Sequence, residues 1–148
     1  MRDSIRTFRC EVLTPTGLAL EVQALSARIP LSDGSLGVLA GHAPLLAALN
    51  PGELAIRRAD GTAGRYFVGD GFAHMRANVL SILASQCVAA EQVDGEAAIA
   101  ELEHARSMPA GSQHDRDRRK RAMAAAAAKL RVAPRSWPSG QADLEDDV

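Results

Sequence analysis

The residues that could carry out chemistry are few, and their spacing is not that of a catalytic site. His42 lies in the run Gly41-His42-Ala43-Pro44, but no cysteine or carboxylate stands nearby at the spacing that metal ligands require. The other histidines, His74, His104 and His114, are scattered, and no nucleophile is spaced to pair with a base. We expect no catalytic residue and no metal site, and we interpret His42 as a residue that holds a turn and faces a partner protein.

The densest charge pattern is a basic cluster near the C-terminus. Guanidinium groups pair bidentately with carboxylates, so an arginine-rich helix suits an acidic partner. A solvated helix face and a nonspecific nucleic-acid patch are the two other interpretations. The cations are Arg116, Arg118, Arg119, Lys120, Arg121, Lys129 and Arg131, and only Asp115 and Asp117 oppose them.

Composition excludes several classes of protein. The net charge of −1 gives no general attraction to nucleic acid, and 3% aromatic residues leave little for stacking bases. No apolar run approaches the roughly 18 residues of a membrane span, and the N-terminus lacks the apolar region of a secretory signal. We therefore expect a mature protein that begins near Met1 and stays on the cytoplasmic side of its membrane. Cys10 and Cys87 are expected to be small buried apolar residues in a reducing compartment.

The elements that must position these residues change character near residue 90. Before it, short runs rich in Val, Ile and Leu alternate with Gly and Pro, which is typical of strands joined by tight turns. Asp60-Gly61 is a strong hairpin signal, and Ser32-Asp33-Gly34 predicts a turn. Because no helix long enough for a crossover lies between the runs, the pattern favours an antiparallel β-sandwich over a parallel α/β sheet.

After Val93 the pattern becomes helical. Asp94 is placed to cap a first helix, whose predicted buried stripe is Ala98, Leu102 and Ala105, widened by Ile99. A second helix is predicted from about Asp115 to Val132, and Pro134 stops it. The predicted fold class is α+β: residues 1–90 form a β-sandwich, residues 91–133 a helical hairpin, and residues 134–148 a disordered acidic tail.

A resemblance to a known family rests on one segment above all. The run from Gly34 to Leu46, with Leu36-Gly37 and Gly41-His42-Ala43-Pro44, continues through Pro51-Gly52 to Leu54. Residue types and spacing resemble the epsilon subunit of F-type ATP synthases, which corresponds to the mitochondrial delta subunit. Further similarity at Gly71-Phe72, at 78–84 and at 128–133 extends the resemblance over roughly residues 7 to 133.

The resemblance implies a non-catalytic rotor subunit of the central stalk, which couples ion translocation to ATP synthesis. Its implied partners are the gamma subunit, the polar loops of the c-ring, and the beta and alpha subunits, so the chain would be peripheral to the cytoplasmic face of a bacterial inner membrane. The implied surface toward the c-ring and gamma is Asp33, Gly34, Ser35, Gly41, His42, Ala43 and Pro44. The family often has a carboxylate where this chain has Ser35, and Asp33 could supply that charge.

The resemblance also implies regulation by the helical hairpin, which in the family is permissive when folded on the sandwich and opposes ATP hydrolysis when extended. The implied contacts with an acidic segment of beta are Arg116, Arg118, Arg119, Arg121, Lys129 and Arg131. Some members bind ATP through an Ile/Leu-Asp-x-x-Arg motif at the start of the first helix. This chain has Ala97 where that motif has arginine, so we expect weak or absent ATP binding and no cofactor.

One interpretation outside the family stays open from the sequence. A small β-domain adaptor could use the same basic helix to bind nucleic acid or an acidic protein. The residues do not determine the coupling ion, the resting position of the hairpin, the strength of inhibition or the role of the acidic tail.

Overall fold

A computed structural model describes residues 6–134. It confirms the predicted fold class, a β-sandwich followed by a two-helix hairpin. The predicted acidic tail lies outside the described residues, apart from Pro134. The strands are β1 Phe8–Thr14, β2 Gly17–Leu31, β3 Gly34–Leu39, β4 Leu45–Leu49, β5 Gly52–Arg58, β6 Ala63–Val68, β7 Gly71–Arg76, β8 Val79–Ala84 and β9 Cys87–Ala89; a 3-10 turn, Ala90–Gln92, precedes the helices α1 Gly95–Arg106 and α2 Gln113–Val132.

The long strand β2 joins the two layers of the sandwich because its 15 residues suffice to pair in both. Its first half pairs with β1, and its second half pairs with β5 on one side and β3 on the other. The register with β5 shifts between Ala24 and Ser26, as expected for a bulge that bends a strand from one layer into the next. The remaining neighbours follow the order β4-β7-β8-β1-β2-β5-β6-β9.

One pairing departs from the antiparallel pattern that the sequence predicts. Strands β1 and β8 are parallel, with Cys10 opposite Leu80 and Val12 opposite Ile82. The other pairings among residues 6–134 are antiparallel. A strand that buries one face has the same period-two alternation in either direction, so the local pattern does not reveal which way β1 runs relative to β8.

The segment from Gly34 to Leu54, which carries the resemblance, contains strands β3 and β4 as well as turns. Gly41 has a left-handed backbone, with φ of +78°. Gly52 allows a close approach, because a Cβ there would lie 2.7 Å from the Cβ of Pro30. Gly37, by contrast, occupies neither a turn nor a close approach. It lies inside β3, with nothing within 4 Å of where its Cβ would stand.

The core between the layers is apolar throughout. The aliphatic residues expected from the low aromatic content fill most of it, and no polar or charged residue of the described chain is buried. Its largest fully buried side chains are Phe8, Val12, Ile29, Val38, Leu54, Val68, Met75, Leu80 and Ile82.

Both helices begin at side-chain caps. The Asp94 carboxylate accepts hydrogen bonds from the N–H groups of Glu96 at 3.0 Å and Ala97 at 3.2 Å, which confirms the predicted cap of α1. The Ser112 hydroxyl caps α2, which begins two residues before the predicted start. The prediction that Ile99 widens the buried stripe is wrong, since half of its surface is exposed.

The hairpin is folded down on the sandwich. Helix α1 packs on α2, where the buried residues include Ala98, Ala105 and Ala126, so small side chains let the helices approach closely. Helix α2 in turn packs on β5 and β6. A second apolar cluster joins the parts: Phe67 of β6, Ala90, Val93, and Ala128 and Val132 of α2. Burial of this cluster supplies the stability that two short helices lack alone.

Candidate functional site

The turn Asp33-Gly34-Ser35 is exposed and lies where β2 reverses into the first residues of β3. It projects from the end of the sandwich that also carries the link from β4 to β5, because the Asn50 N–H donates to the Pro30 carbonyl at 3.1 Å. The left-handed backbone of Gly34, with φ of +127°, makes the reversal possible. A short charged projection of this kind can contact a polar loop of another protein without rearranging the sandwich.

The segment Gly41-His42-Ala43-Pro44 links β3 to β4 at the opposite end. Asn78, in the turn between β7 and β8, holds it: the Gly41 N–H donates to Oδ1 of Asn78 at 2.9 Å, and Nδ2 of Asn78 donates to the Thr7 carbonyl at 2.8 Å. The His42 ring bonds within its own turn, with Nδ1 2.8 Å from the Ala43 carbonyl oxygen. His42 therefore helps to hold its turn, and its contact with a partner stays a prediction.

The two turns assigned to one surface from the sequence are thus at opposite ends of β3. Strand β3 is six residues long, or about 20 Å at the usual rise, and the two turns lie at its two ends. A single small contact cannot include both. Asn78 is the functional candidate that sequence reasoning missed, because its partners, Gly41 and Thr7, are 37 and 71 positions away.

An exposed apolar row crosses the outer face of the layer β7-β8-β1-β2. Strand registers place Phe72 opposite Leu83, Leu83 opposite Leu13, and Leu13 opposite Leu18. Phe72, Leu83 and Leu18 are each more than half exposed. We call Phe72, Leu83, Leu13 and Leu18 the outer row. In the sequence, the outer row shows only as apolar residues at strand positions where the period-two alternation predicts polar ones. A contiguous apolar surface of this kind is typical of protein interfaces.

The basic residues of α2 occupy different environments. Arg116 bonds locally, to the Ala110 carbonyl at 3.3 Å and to Gln113 at 3.1 Å. Arg119 is half-buried, and its Nε has no hydrogen-bond partner within residues 6–134. Within the same range, four exposed cations of α2 form neither an ion pair nor a side-chain hydrogen bond: Arg118, Lys120, Arg121 and Arg131.

Lys129 differs from the rest of the basic set because it is almost enclosed, with 15% of its side chain exposed. Its Nζ lies 2.9 Å from Oε2 and 3.2 Å from Oε1 of Glu101, and 5.4 Å from the ring centroid of Phe67. The ammonium thus contacts α1 and the sheet at once. In the folded-down hairpin it is not available to another protein.

A cavity of about 170 Å³ lies at the start of α1, lined by Gln92, Asp94, Glu101, Lys129 and apolar groups. The Asp94 carboxylate caps α1, and Lys129 is already paired with Glu101. Phosphate placed there would meet two carboxylates and one neutralised cation. Weak or absent ATP binding stays a prediction.

The two thiols are held in their neutral forms. Burial is the main cause that raises the pKa of Cys10 to about 12, and the charges of Cys87 and Glu11 add to it. Burial also raises the pKa of the half-buried Cys87. Because the thiolate is the nucleophile and the metal ligand, neither thiol is activated for chemistry.

Two further features bear on the class of protein. No group of three or more His, Cys, Asp and Glu residues within 6–134 is arranged to hold a metal ion. Across the same residues, neither helix is long and apolar enough to cross a membrane.

Comparison with known proteins assigns these features to a family. The profile described as the ATP synthase delta/epsilon chain, beta-sandwich domain, matches residues 7–100. The chain belongs to this family. The ATP synthase epsilon chain of Rhodopirellula baltica is 31% identical over 127 residues, which cover 86% of this chain and 98% of the relative. That of Brucella anthropi is 34% identical over 101 residues, 68% and 75% of the two chains.

Two solved structures contain a chain of the same fold. A chain of the Euglena gracilis mitochondrial ATP synthase aligns with a TM-score of 0.72 at 24% identity, covering 86% of this chain and 81% of that one. A chain from the central stalk and c-ring of the Tetrahymena thermophila mitochondrial ATP synthase aligns with a TM-score of 0.65 at 15% identity, covering 90% and 100%. Both alignments cover more of this chain than the β-sandwich alone, so they include helical residues. Membership of the delta/epsilon family disfavours the adaptor interpretation.

Proposed function

We propose that this chain is a rotor subunit in the central stalk of an F-type ATP synthase, where it couples ion translocation to ATP synthesis. The observation that carries the proposal is the match to ATP synthase epsilon chains over almost the whole described chain, the hairpin included. The chain has no catalytic role of its own in this proposal. It is peripheral to the membrane through the complex, on the cytoplasmic face of a bacterial inner membrane.

The separation of the two turns supports contacts with different partners. The exposed turn Asp33-Gly34-Ser35 meets the polar loops of the c-ring, with Asp33 supplying the carboxylate that Ser35 lacks. The segment Gly41-His42-Ala43-Pro44, about 20 Å away, meets the gamma subunit. The outer row gives gamma an apolar surface beyond that segment, since burial of Phe72 and Leu83 would stabilise a long-lived contact.

The hairpin is the regulatory part in this proposal. Folded down, it leaves ATP hydrolysis uninhibited; extended, it brings Arg116, Arg118, Arg119 and Arg121 to an acidic segment of beta. Lys129 and Arg131 complete that contact. Because Lys129 is paired with Glu101 in the folded-down hairpin, it changes partners when the hairpin extends.

Nucleotide does not control the hairpin of this chain. The carboxylates of Asp94 and Glu101 beside the small cavity, and Ala97 in place of arginine, support this part of the proposal. Calorimetric titration of the full chain with ATP tests it. Heat that reports a micromolar dissociation constant would contradict it.

The decisive experiment compares ATP hydrolysis by the reconstituted complex containing the full chain with hydrolysis by a complex whose chain ends before Asp94. Faster hydrolysis after truncation supports an inhibitory hairpin, and an unchanged rate leaves the coupling role alone. Purification with gamma tests the assignment itself, because a central-stalk subunit binds gamma tightly. Failure of the full chain to bind gamma would overturn the proposed function.

A further inference from the structure

The first half of α2 carries more positive charge than the described chain neutralises. Within residues 6–134, Arg118, Lys120 and Arg121 form no ion pair. Arg116 and Lys120 are four positions apart, and Arg118 and Arg121 three, so like charges face each other along the helix. Like charges at these spacings destabilise a helix. An acidic segment docked beside them would remove this repulsion.

A groove lies next to these cations, between α2 and the end of the sandwich. Its volume is about 640 Å³, and Lys120 and Arg121 stand on its helix side above Ala124. The sheet side is mixed. Leu49 and the exposed ring of Phe72 form its apolar part, and the polar residues on it are Asn50, Asp70, Ser85 and Gln86. We call this the α2 groove.

Two carboxylates also line the α2 groove, and each accepts a hydrogen bond from a neutral side chain. Asp70 accepts a hydrogen bond from the Ser85 hydroxyl at 3.0 Å, and Asp117 accepts one from the Gln113 amide at 2.9 Å. Neither forms an ion pair with the cations of α2. The α2 groove thus combines exposed apolar groups with two cations that form no ion pair in the described chain, and it suits an acidic segment that carries an apolar residue.

The chain contains such a segment. Residues 143–147 read Asp-Leu-Glu-Asp-Asp and lie outside the described residues. In an extended chain, Leu144 points away from the side shared by Asp143 and Glu145. We propose that residues 143–147 of the same chain dock in the α2 groove, with Leu144 toward Phe72 and the carboxylates toward Lys120 and Arg121.

The length of the chain permits this docking. Arg121 lies 13 residues before Pro134, or about 20 Å back along the helix axis. Nine to thirteen residues separate Pro134 from positions 143–147, which can span about 30–43 Å. The segment therefore reaches Lys120 and Arg121 with slack. A tether of this length also gives an effective concentration on the order of millimolar, which favours the chain's own tail over that of a second copy.

The proposal concerns the full chain by itself and does not depend on the proposed function. The chain has only two lysines, Lys120 and Lys129, so zero-length carbodiimide cross-linking can identify the contact. Trypsin releases all tail carboxylates in one peptide, Ser136 to Val148. We expect this peptide linked to Lys120 at 20 mM NaCl, with the yield reduced at least fivefold at 500 mM NaCl as the charges are screened. The link between Lys129 and Glu101, which are 2.9 Å apart, serves as the internal control.

Two variants and an isotope mixture complete the test. The tail variant D143N/E145Q/D146N/D147N converts each carboxylate to an amide of almost the same size, so its side chains can no longer be cross-linked. We expect it to raise the rate of amide exchange at residues 116–121 about twofold. The matched variant E91Q/E103Q neutralises exposed carboxylates elsewhere and is expected to change neither readout. In an equal mixture of ¹⁴N and ¹⁵N chains, the Lys120 link should join peptides of one label. The proposal would be overturned if the Lys129–Glu101 link forms but Lys120 does not link to the tail peptide. It would also be overturned if Lys120 links only to tail peptides that carry the other isotope label.

Discussion

Lys129 of α2 lies 2.9 Å from the carboxylate of Glu101 in α1, and the same ammonium lies 5.4 Å from the ring centroid of Phe67 in β6. One side chain thus contacts both parts of the molecule that an extended hairpin would separate. The neighbouring apolar cluster gives α2 its affinity for the sheet, and Lys129 adds a contact that depends on orientation.

Replacing Lys129 with methionine tests this contact. The methionine retains an apolar chain but removes the ion pair and the cation–π interaction. We expect the free energy of hairpin opening to fall by about 1 kcal/mol, because Lys129 is mostly enclosed while Glu101 is half exposed. Amide exchange of α2 should then rise about fivefold. Arg131→Met is the control at an exposed position without an ion pair in the described chain, and equal protection in both variants would contradict the assignment.

Gly71 and Gly37 offer a matched pair of glycine substitutions in strands. A Cβ at Gly71 would overlap the carbonyl oxygen of Leu83 in the paired strand, whereas a Cβ at Gly37 would meet no atom within 4 Å. Gly71→Ala should lower the free energy of unfolding by about 1–3 kcal/mol, because backbone must move. Gly37→Ala should leave it unchanged or raise it by about 0.4–1 kcal/mol, since alanine restricts the unfolded chain. Urea denaturation measures both, and equal losses would show that the close approach at Gly71 is not decisive.

Asn78 is expected to control the turn that contains His42. Asn78→Gly keeps the left-handed backbone, whose φ is 63°, and removes only the amide that bonds Gly41 and Thr7. We expect faster exchange of the Gly41 amide and a loss of about 1 kcal/mol of stability. Ala77→Gly, at the neighbouring left-handed position with φ of 51°, should relieve strain instead. The idea fails if the Gly41 amide exchanges at the same rate in Asn78→Gly and in the unsubstituted chain.

The buried thiol of Cys10 predicts a loss of stability in alkali. Its pKa is raised from the ordinary value of 9.0 to about 12, so between these values the unfolded chain releases a proton that the folded chain retains. The free energy of unfolding is unaffected by this group below pH 9 and should fall by up to about 1.4 kcal/mol per pH unit above it. Subtracting the pH profile of Cys10→Ala isolates this group from lysine and tyrosine. Parallel profiles from pH 8 to 11 would contradict the raised pKa.

Features encoded by neighbouring residues could be predicted, and features that depend on distant parts of the chain could not. The Asp94 cap, the Asp60-Gly61 turn and the end of α2 before Pro134 each depend on residues within a few positions. The parallel pairing of β1 with β8 depends on the path of the whole sandwich. The alternation of apolar and polar residues along a strand does not reveal its direction. Ile99 is apolar at a helical spacing that predicts burial, yet no element of the described chain covers it.

The candidate site follows the same division. Residue types alone indicated a basic helix and two turns, and these are where they were expected in the chain. Tertiary packing, by contrast, determines that the turns lie at opposite ends of β3 and that Lys129 is paired with Glu101. The outer row is visible only when the registers of four strands are known, because its members come from separate segments.

The parallel pairing of β1 with β8 has a consequence for the order of folding. Strand β1 pairs on one side with β2, which follows it directly, but on its other side Arg9 is opposite Val79, so this second neighbour is synthesised about 70 residues later. Contacts at such separation are slow to form, because the long loop between them must be closed first. The pairing of β6, on which α2 packs, with β9 also requires residues that come after Val79 in the sequence. The hairpin comes after all of these strands in the sequence, so on the ribosome it emerges later than the strands on which it packs.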